Sequence, residues 1–229
     1  MGNDDKSYAV VDLESVRKHP QIRQYLGIGD KYLEVMGTIQ HDEPHALLAA
    51  HLSSLILSRL GHPARECELA AIAGYLHDIG NLVNRVNHGL TGAVLSFYLL
   101  SDLNMDPEEM AVVMAAIGNH EENTGGNPVN SVAAALILAD KSNVHRSRVR
   151  KTDPATFTQR DRVNYAVEHT CLEVVPEKKI ITMKLKIDNN ICSVMEYFEI
   201  FLTKMIISRR AAAALGCQFE LIINDAKLL

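Results

Sequence analysis

Residues 68–80 read ELAAIAGYLHDIG, an apolar run that ends in a histidine followed directly by an aspartate. The upstream part reads as a core helix, opened by Pro63 near its first turn and closed by Gly80. Leaving His77 and Asp78 unpartnered at the end of such a helix would cost a few kcal/mol for each buried polar group. The doublet therefore needs a partner.

Partners of the right kind recur along the chain. HALLAAHLSSLILSRLG begins with His45 and places Leu48, Leu52, Leu55, Ile56 and Leu60 at steps of three and four, which predicts an amphipathic helix stopped by Gly61. GLTGAVLSFYLLSDL, a third helix, is opened by His88. DPEEMAVVMAAIGNH, a fourth, has Asp106 as N-cap and Pro107 at its first position, and ends at His120. NPVNSVAAALILADKSNVHR is a fifth, with Asp140 near its end. Seven of the ten histidines fall between His41 and His120, so the chemistry concentrates in the first two-thirds of the chain. If these helices pack as a bundle, their ends converge on one pocket. A mixed imidazole and carboxylate set suits a transition metal and makes a poor calcium cage.

After about residue 155 the character changes. VNYAVEHTCLEVVPEKKIITMKLKI reads as a β-hairpin broken at PEKK, ICSVMEYFEIFLTKMIISRRAAAALG as a long helix and CQFELIIND as a closing strand. The expected architecture is mainly α: a helical segment over 1–40, an all-α bundle over 41–155 and a small α+β (ββαβ) unit over 156–229.

Composition narrows the function classes. The 229 residues carry a net charge of −5 with no Trp, which gives no general drive toward nucleic acid or an anionic membrane. Cys67, Cys171, Cys192 and Cys217 are scattered, with no CxxC pair, which argues against a zinc ribbon or a disulfide scaffold. The N-terminus lacks a signal pattern and no apolar run approaches the ~20 residues of a membrane span. A cytoplasmic protein is the expectation.

The ordered series His45, His77-Asp78, Asp140 resembles the HD superfamily of metal-dependent phosphohydrolases, named for that doublet. LHDIG is a common spelling of the doublet there. HGLTGA and AIGNHEE are similar to the segments that supply second-metal histidines in the dinuclear branch, and LADKSNVHR to the family's final Ala-Asp turn. The resemblance covers about residues 40–150. It implies an all-α HD-domain bundle in which His45, His77, Asp78 and Asp140 hold one divalent metal, and Asp78 bridges to a second held by His88 and His120. It leaves iron, manganese, zinc, nickel and magnesium undistinguished. Asp78 would orient a metal-activated water, with His120 or Glu121 as general acid or base.

The implied substrate is a small phosphorylated molecule, a nucleotide foremost. The pattern is also similar to HD enzymes that split symmetrical diadenosine tetraphosphate, although Glu121 stands where those carry Thr. Asn81 occupies a position where many members carry Lys. Asn119 and the missing Gly-Tyr-Pro loop depart from the cyclic-dinucleotide branch. In DKSNVHRSRVRK, Lys141 and Arg146 are the candidate phosphate-binding residues; a solvated, dipole-complementing helix end is the plainer account of the same run. A non-catalytic sensor or scaffold with an HD core is the alternative function, and a homodimer is the expected assembly.

Overall fold

A computed structural model describes residues 7–229. In chain order, α1 (Leu13–Lys18) and α2 (Pro20–Val35) lead into α3 (Glu43–Arg59), α4 (Ala64–Leu76), α5 (His88–Asp102), α6 (Pro107–Gly118) and α7 (Ser131–Ser142). After a run of turns come α8 (Gln159–Ala166), β1 (Val167–Val175), β2 (Ile180–Ile187), α9 (Val194–Ala214), β3 (Gln218–Ile223) and the two-residue β4 (Ala226–Lys227). The expected bundle and ββαβ unit are both present, the latter extended by β4.

The centre is α7. Every residue from Val132 to Ala139 has no exposed surface, the burial that a helix apolar all round requires. It packs against α3, α4, α6 and α9, so Asp140, one residue beyond this stretch, is carried into the interior. The apolar core continues through α9 into the inward faces of β2 and β3, including Met183, Leu185, Phe219 and Leu221. The sheet order is β1-β2-β3-β4. β1 and β2 are antiparallel. β3 runs parallel to β2 because α9 forms the crossover between them.

Three local expectations are corrected. The buried face of α3 is His45, Ala46, Ala49, Ala50, Ser53, Ile56 and Leu57, and Leu48 is 40% exposed. Close helix approach selects small residues over the leucine stripe: a Cβ on Gly74 of α4 would lie 2.7 Å from the backbone of Ala49 and Ala50. Next, α4 stops at Leu76 and the chain tightens into a single 3₁₀ turn over Ile79–Leu82. That turn lies against α5, with a Cβ on Gly80 falling 2.0 Å from the His88 carbonyl oxygen. Finally, residues 163–166, read as the start of a hairpin, belong to α8. Thr158 and Asp161 close a capping box at its start, and this local signal overrides the β-branched composition.

Candidate metal centre

Each candidate ligand is placed by a helix end. Asp42 caps α3 by accepting from the His45 amide at 3.1 Å, which sets His45 in the first turn. His77 is the residue at which α4 ends, and Asp78 follows it at φ −95° and ψ 2°. His88 begins α5 after Asn87, whose φ of 61° turns the chain into the helix. His120 lies just past α6, and Asp140 sits in the last turn of α7. Close packing of α3 on α4, and of the Ile79–Leu82 turn on α5, brings these ends together.

The imidazoles are oriented alike. His77, His88 and His120 each direct Nδ1 at the carbonyl three residues upstream, Gly74 at 2.7 Å, Arg85 at 3.0 Å and Ile117 at 2.6 Å. A carbonyl only accepts, so Nδ1 carries the hydrogen and Nε2 presents its lone pair inward. His45 Nδ1 meets the Asn143 side-chain amide at 2.7 Å, which turns its Nε2 inward too. Anchoring the outer nitrogen while freeing the inner one is how proteins prepare histidines to bind metal.

The inner atoms crowd together. His45 Nε2 and His77 Nε2 are 3.2 Å apart, and His88 Nε2 and His120 Nε2 3.1 Å. Asp78 lies between the two pairs: Oδ2 is 3.3 Å from His45 and 3.1 Å from His77, while Oδ1 is 3.2 Å from His88. Asp140 Oδ1 is 3.6 Å from both His45 and His77. Asp78 Oδ2 is buried with no hydrogen-bond partner among the described residues. Lone pairs facing lone pairs in a dry interior repel, and cations between them would relieve every contact at once. Three overlapping donor groups have the spacing for this: His45, His77 and Asp78; His77, His120 and Asp140; and Asp78, His88 and His120. The nitrogen and oxygen donors fit a divalent transition metal.

Protonation follows the same electrostatics. Burial works against a charge on His77, but the adjacent carboxylates of Asp78 and Asp140 override it and raise the ring to about 10. Burial pushes His45 down to about 4 and holds His120 well below the usual imidazole range. The cluster thus favours positive charge on His77 and also on His88, where burial is overridden by Asp78 and Glu121, and denies it to His45 and His120. His120, held neutral, is better suited to offer a lone pair than to donate a proton.

Around the cluster, Asn81 donates to Asp78 Oδ1 at 2.9 Å. Arg85 Nη1 donates to Asn81 Oδ1 at 3.1 Å and stands 3.5 Å from Asp78 Oδ1. A cation thus reaches Asp78 from Arg85, four residues beyond Asn81. Glu121 is tied to the start of α5: Oε1 is 2.7 Å from His88 Nδ1 and Oε2 accepts from the Gly89 amide at 3.0 Å.

The cluster opens into a cavity of about 460 Å³ whose lining includes Asp78, His88, Asp140 and Lys141, together with Glu121–Thr124 from the loop after α6. Lys141 lies there as expected, tied to Glu122 at 2.6 Å and Asp140 at 2.7 Å. Arg146 does not line this cavity. It pairs with Glu168 of β1 at 3.4 Å and stacks over the Tyr165 ring, because the chain leaves α7 after Asn143 and turns toward the sheet. The arginines that do line the cavity are Arg85, Arg148 and Arg160, and Lys204 of α9 joins them. Of these, Arg148 lies in the run DKSNVHRSRVRK, where Arg146 was read as the ligand instead. Arg85, Arg160 and Lys204 were not read as ligands, and for Arg85 the one signal was its closeness to LHDIG.

No family model matches the chain, and no curated protein does. Among solved structures it is similar to a predicted HD superfamily hydrolase from an uncultured Thermotogales bacterium. That likeness has 27% identity, covers 58% of this chain and 73% of that one, and has a TM-score of 0.43. Among the described residues, no helix is long and apolar enough to cross a membrane.

Proposed function

We propose that this chain is a metal-dependent phosphohydrolase of the HD type, acting on a phosphate ester or anhydride of a nucleotide or other small molecule. The observation that carries the reading is the Asp78 carboxylate, which faces His45 and His77 with one oxygen and His88 with the other. In this reading His45, His77, Asp78 and Asp140 hold one ion, and Asp78, His88 and His120 the other. Two such ions supply Lewis-acid activation of water and charge neutralisation at the phosphoryl group.

The remaining side chains do work of their own. Glu121 holds His88 in place from its outer nitrogen. Arg85 stands beside Asp78, where a guanidinium suits a phosphoryl oxygen. Burial opposes a charge on Lys141, but Asp140 and Glu122 override it and keep the ammonium protonated at the cavity wall.

Elemental analysis of protein purified anaerobically, without chelator or nickel resin, should find about two transition-metal ions per chain. The same protein should release phosphate from members of a phosphate-ester panel. Asp78→Ala should lose both metals and all hydrolysis. Hydrolysis retained by metal-free Asp78→Ala would refute the mechanism, and a metal-loaded wild type inert on the whole panel would favour the sensor or scaffold.

A further inference from the structure

The cations of the cavity divide into those with an acceptor and those without one. Arg85 is engaged with Asp78 and Asn81. Lys141 is held by Asp140 and Glu122. The Arg148 guanidinium donates to the backbone carbonyls of Gln40 and Asn143. Lys204 and Arg160 remain. Neither side chain has a carboxylate or carbonyl acceptor among the described residues. They stand instead over one aromatic ring, that of Phe201, at 4.6 Å for the Lys204 ammonium and 5.8 Å for the Arg160 guanidinium.

Lys204 is the unusual one. It is only 9% exposed and lies on the inward face of α9 with Phe201, Met205, Ile207 and Ser208. An apolar residue would be the less costly occupant of that face, since a buried charge with only a ring for company is poorly compensated. Burial pulls the ammonium down to about 7, even with Asp140 and Glu122 near enough to attract it. Lysines on helices commonly run their stems along apolar surface and release the head to bulk water. Here Lys204 contributes to the wall of the metal-site cavity.

We infer that Lys204 and Arg160 form a second anion subsite on the cavity wall supplied by the C-terminal unit, so that the substrate carries a further phosphate besides the one attacked at the Asp78 cluster. The inference rests on the phosphohydrolase reading and narrows its substrate class to molecules with at least two phosphates. A cavity of about 460 Å³ lies within the size range of small-molecule sites. Two cations lining one wall of the cavity suit the distributed charge of a phosphate chain, and both stand over the Phe201 ring. The C-terminal unit then has a task in the site: it selects the substrate and leaves the metals to the helical bundle.

The test is isothermal titration of the full chain with orthophosphate and with tripolyphosphate, each at a fixed free Mn²⁺ concentration. Metal content and melting temperature are followed in parallel. Wild type should bind tripolyphosphate at least ten times more tightly than orthophosphate. Lys204→Met and Arg160→Gln should each lose most of that ratio with metal content unchanged. Arg160 is an exposed position, so its variant decides the matter if Lys204→Met does not fold.

A ratio near one in wild type, or a ratio intact in both variants, would overturn the subsite. If the protein also loads metal and hydrolyses esters, the subsite alone has failed. A chain that takes up no metal yet keeps a Lys204-dependent ratio would sustain the subsite and sink the hydrolase.

Discussion

The helical body and the C-terminal unit contribute to the same cavity by different means. In the body, three of the four inward histidines are anchored within their own turn, by the carbonyl three residues upstream. Their orientation is a local property, and the helix ends carry it. In the C-terminal unit, Lys204 and Arg160 reach the cavity only because α9 lies along α7 and α8 packs against α9. Nothing adjacent in sequence aims them. Local anchoring makes a site robust and legible, whereas assembly by packing makes it dependent on the whole fold.

This contrast can be broken most forcefully at the turn that joins the two metal-side histidine pairs. Gly80→Ala would drive a Cβ to 2.0 Å from the His88 carbonyl oxygen and 2.6 Å from the Gly92 amide nitrogen. The turn would be pushed away from α5, at a cost of about 1–3 kcal/mol. His88 and Asp78 should part, so a lower melting temperature should accompany loss of one metal equivalent. A variant that melts as wild type and retains both metals would show that the close approach does not set the site.

A gentler probe leaves the backbone alone. Glu121→Gln keeps the shape but removes the charge facing His88 Nδ1, and partners of this kind typically contribute about 10–100-fold to metal affinity. Manganese titration should show the loss at one of two sites, with the other unaltered. Equal weakening of both would mean that the Asp78 bridge couples them more tightly than the local anchors separate them.

The smallest effect is expected at Arg146. Its guanidinium pairs with a half-exposed Glu168 and stacks on Tyr165, so Arg146→Ala should leave KM and metal content unchanged. Stability should fall by no more than about 1 kcal/mol. A clear rise in KM would return Arg146 to the substrate and weaken the distinction between cavity cations and surface cations.

The caps and breakers of the helices were legible from short stretches. Asp106 and Pro107 open α6 as their types require, and the residue after α3 and Gly61 turn the chain out of that helix. The convergence of the candidate ligand series was legible for a related reason: a His or Asp at the end of an apolar helix has no inexpensive explanation except convergence. The buried face of α3 was not, because Leu48 and Ala49 exchange roles only when α4 approaches α3 at Gly74. The contact of Glu121 with His88 was not legible, because His88 lies on another helix.

The amino-acid sequence by itself determined the main helices of the bundle, which side chains could hold metal and the change to an α+β unit after about residue 155. Periodicity, capping and side-chain chemistry act over a few residues and leave their mark in the order of letters. Only the tertiary structure decided that Asp78 faces both histidine pairs, that Arg146 turns to the sheet and that Lys204 faces the cavity instead. The first depends on interhelix distances of a few ångströms at Gly74 and Gly80, and the others on how α8, α9 and the sheet pack beside α7.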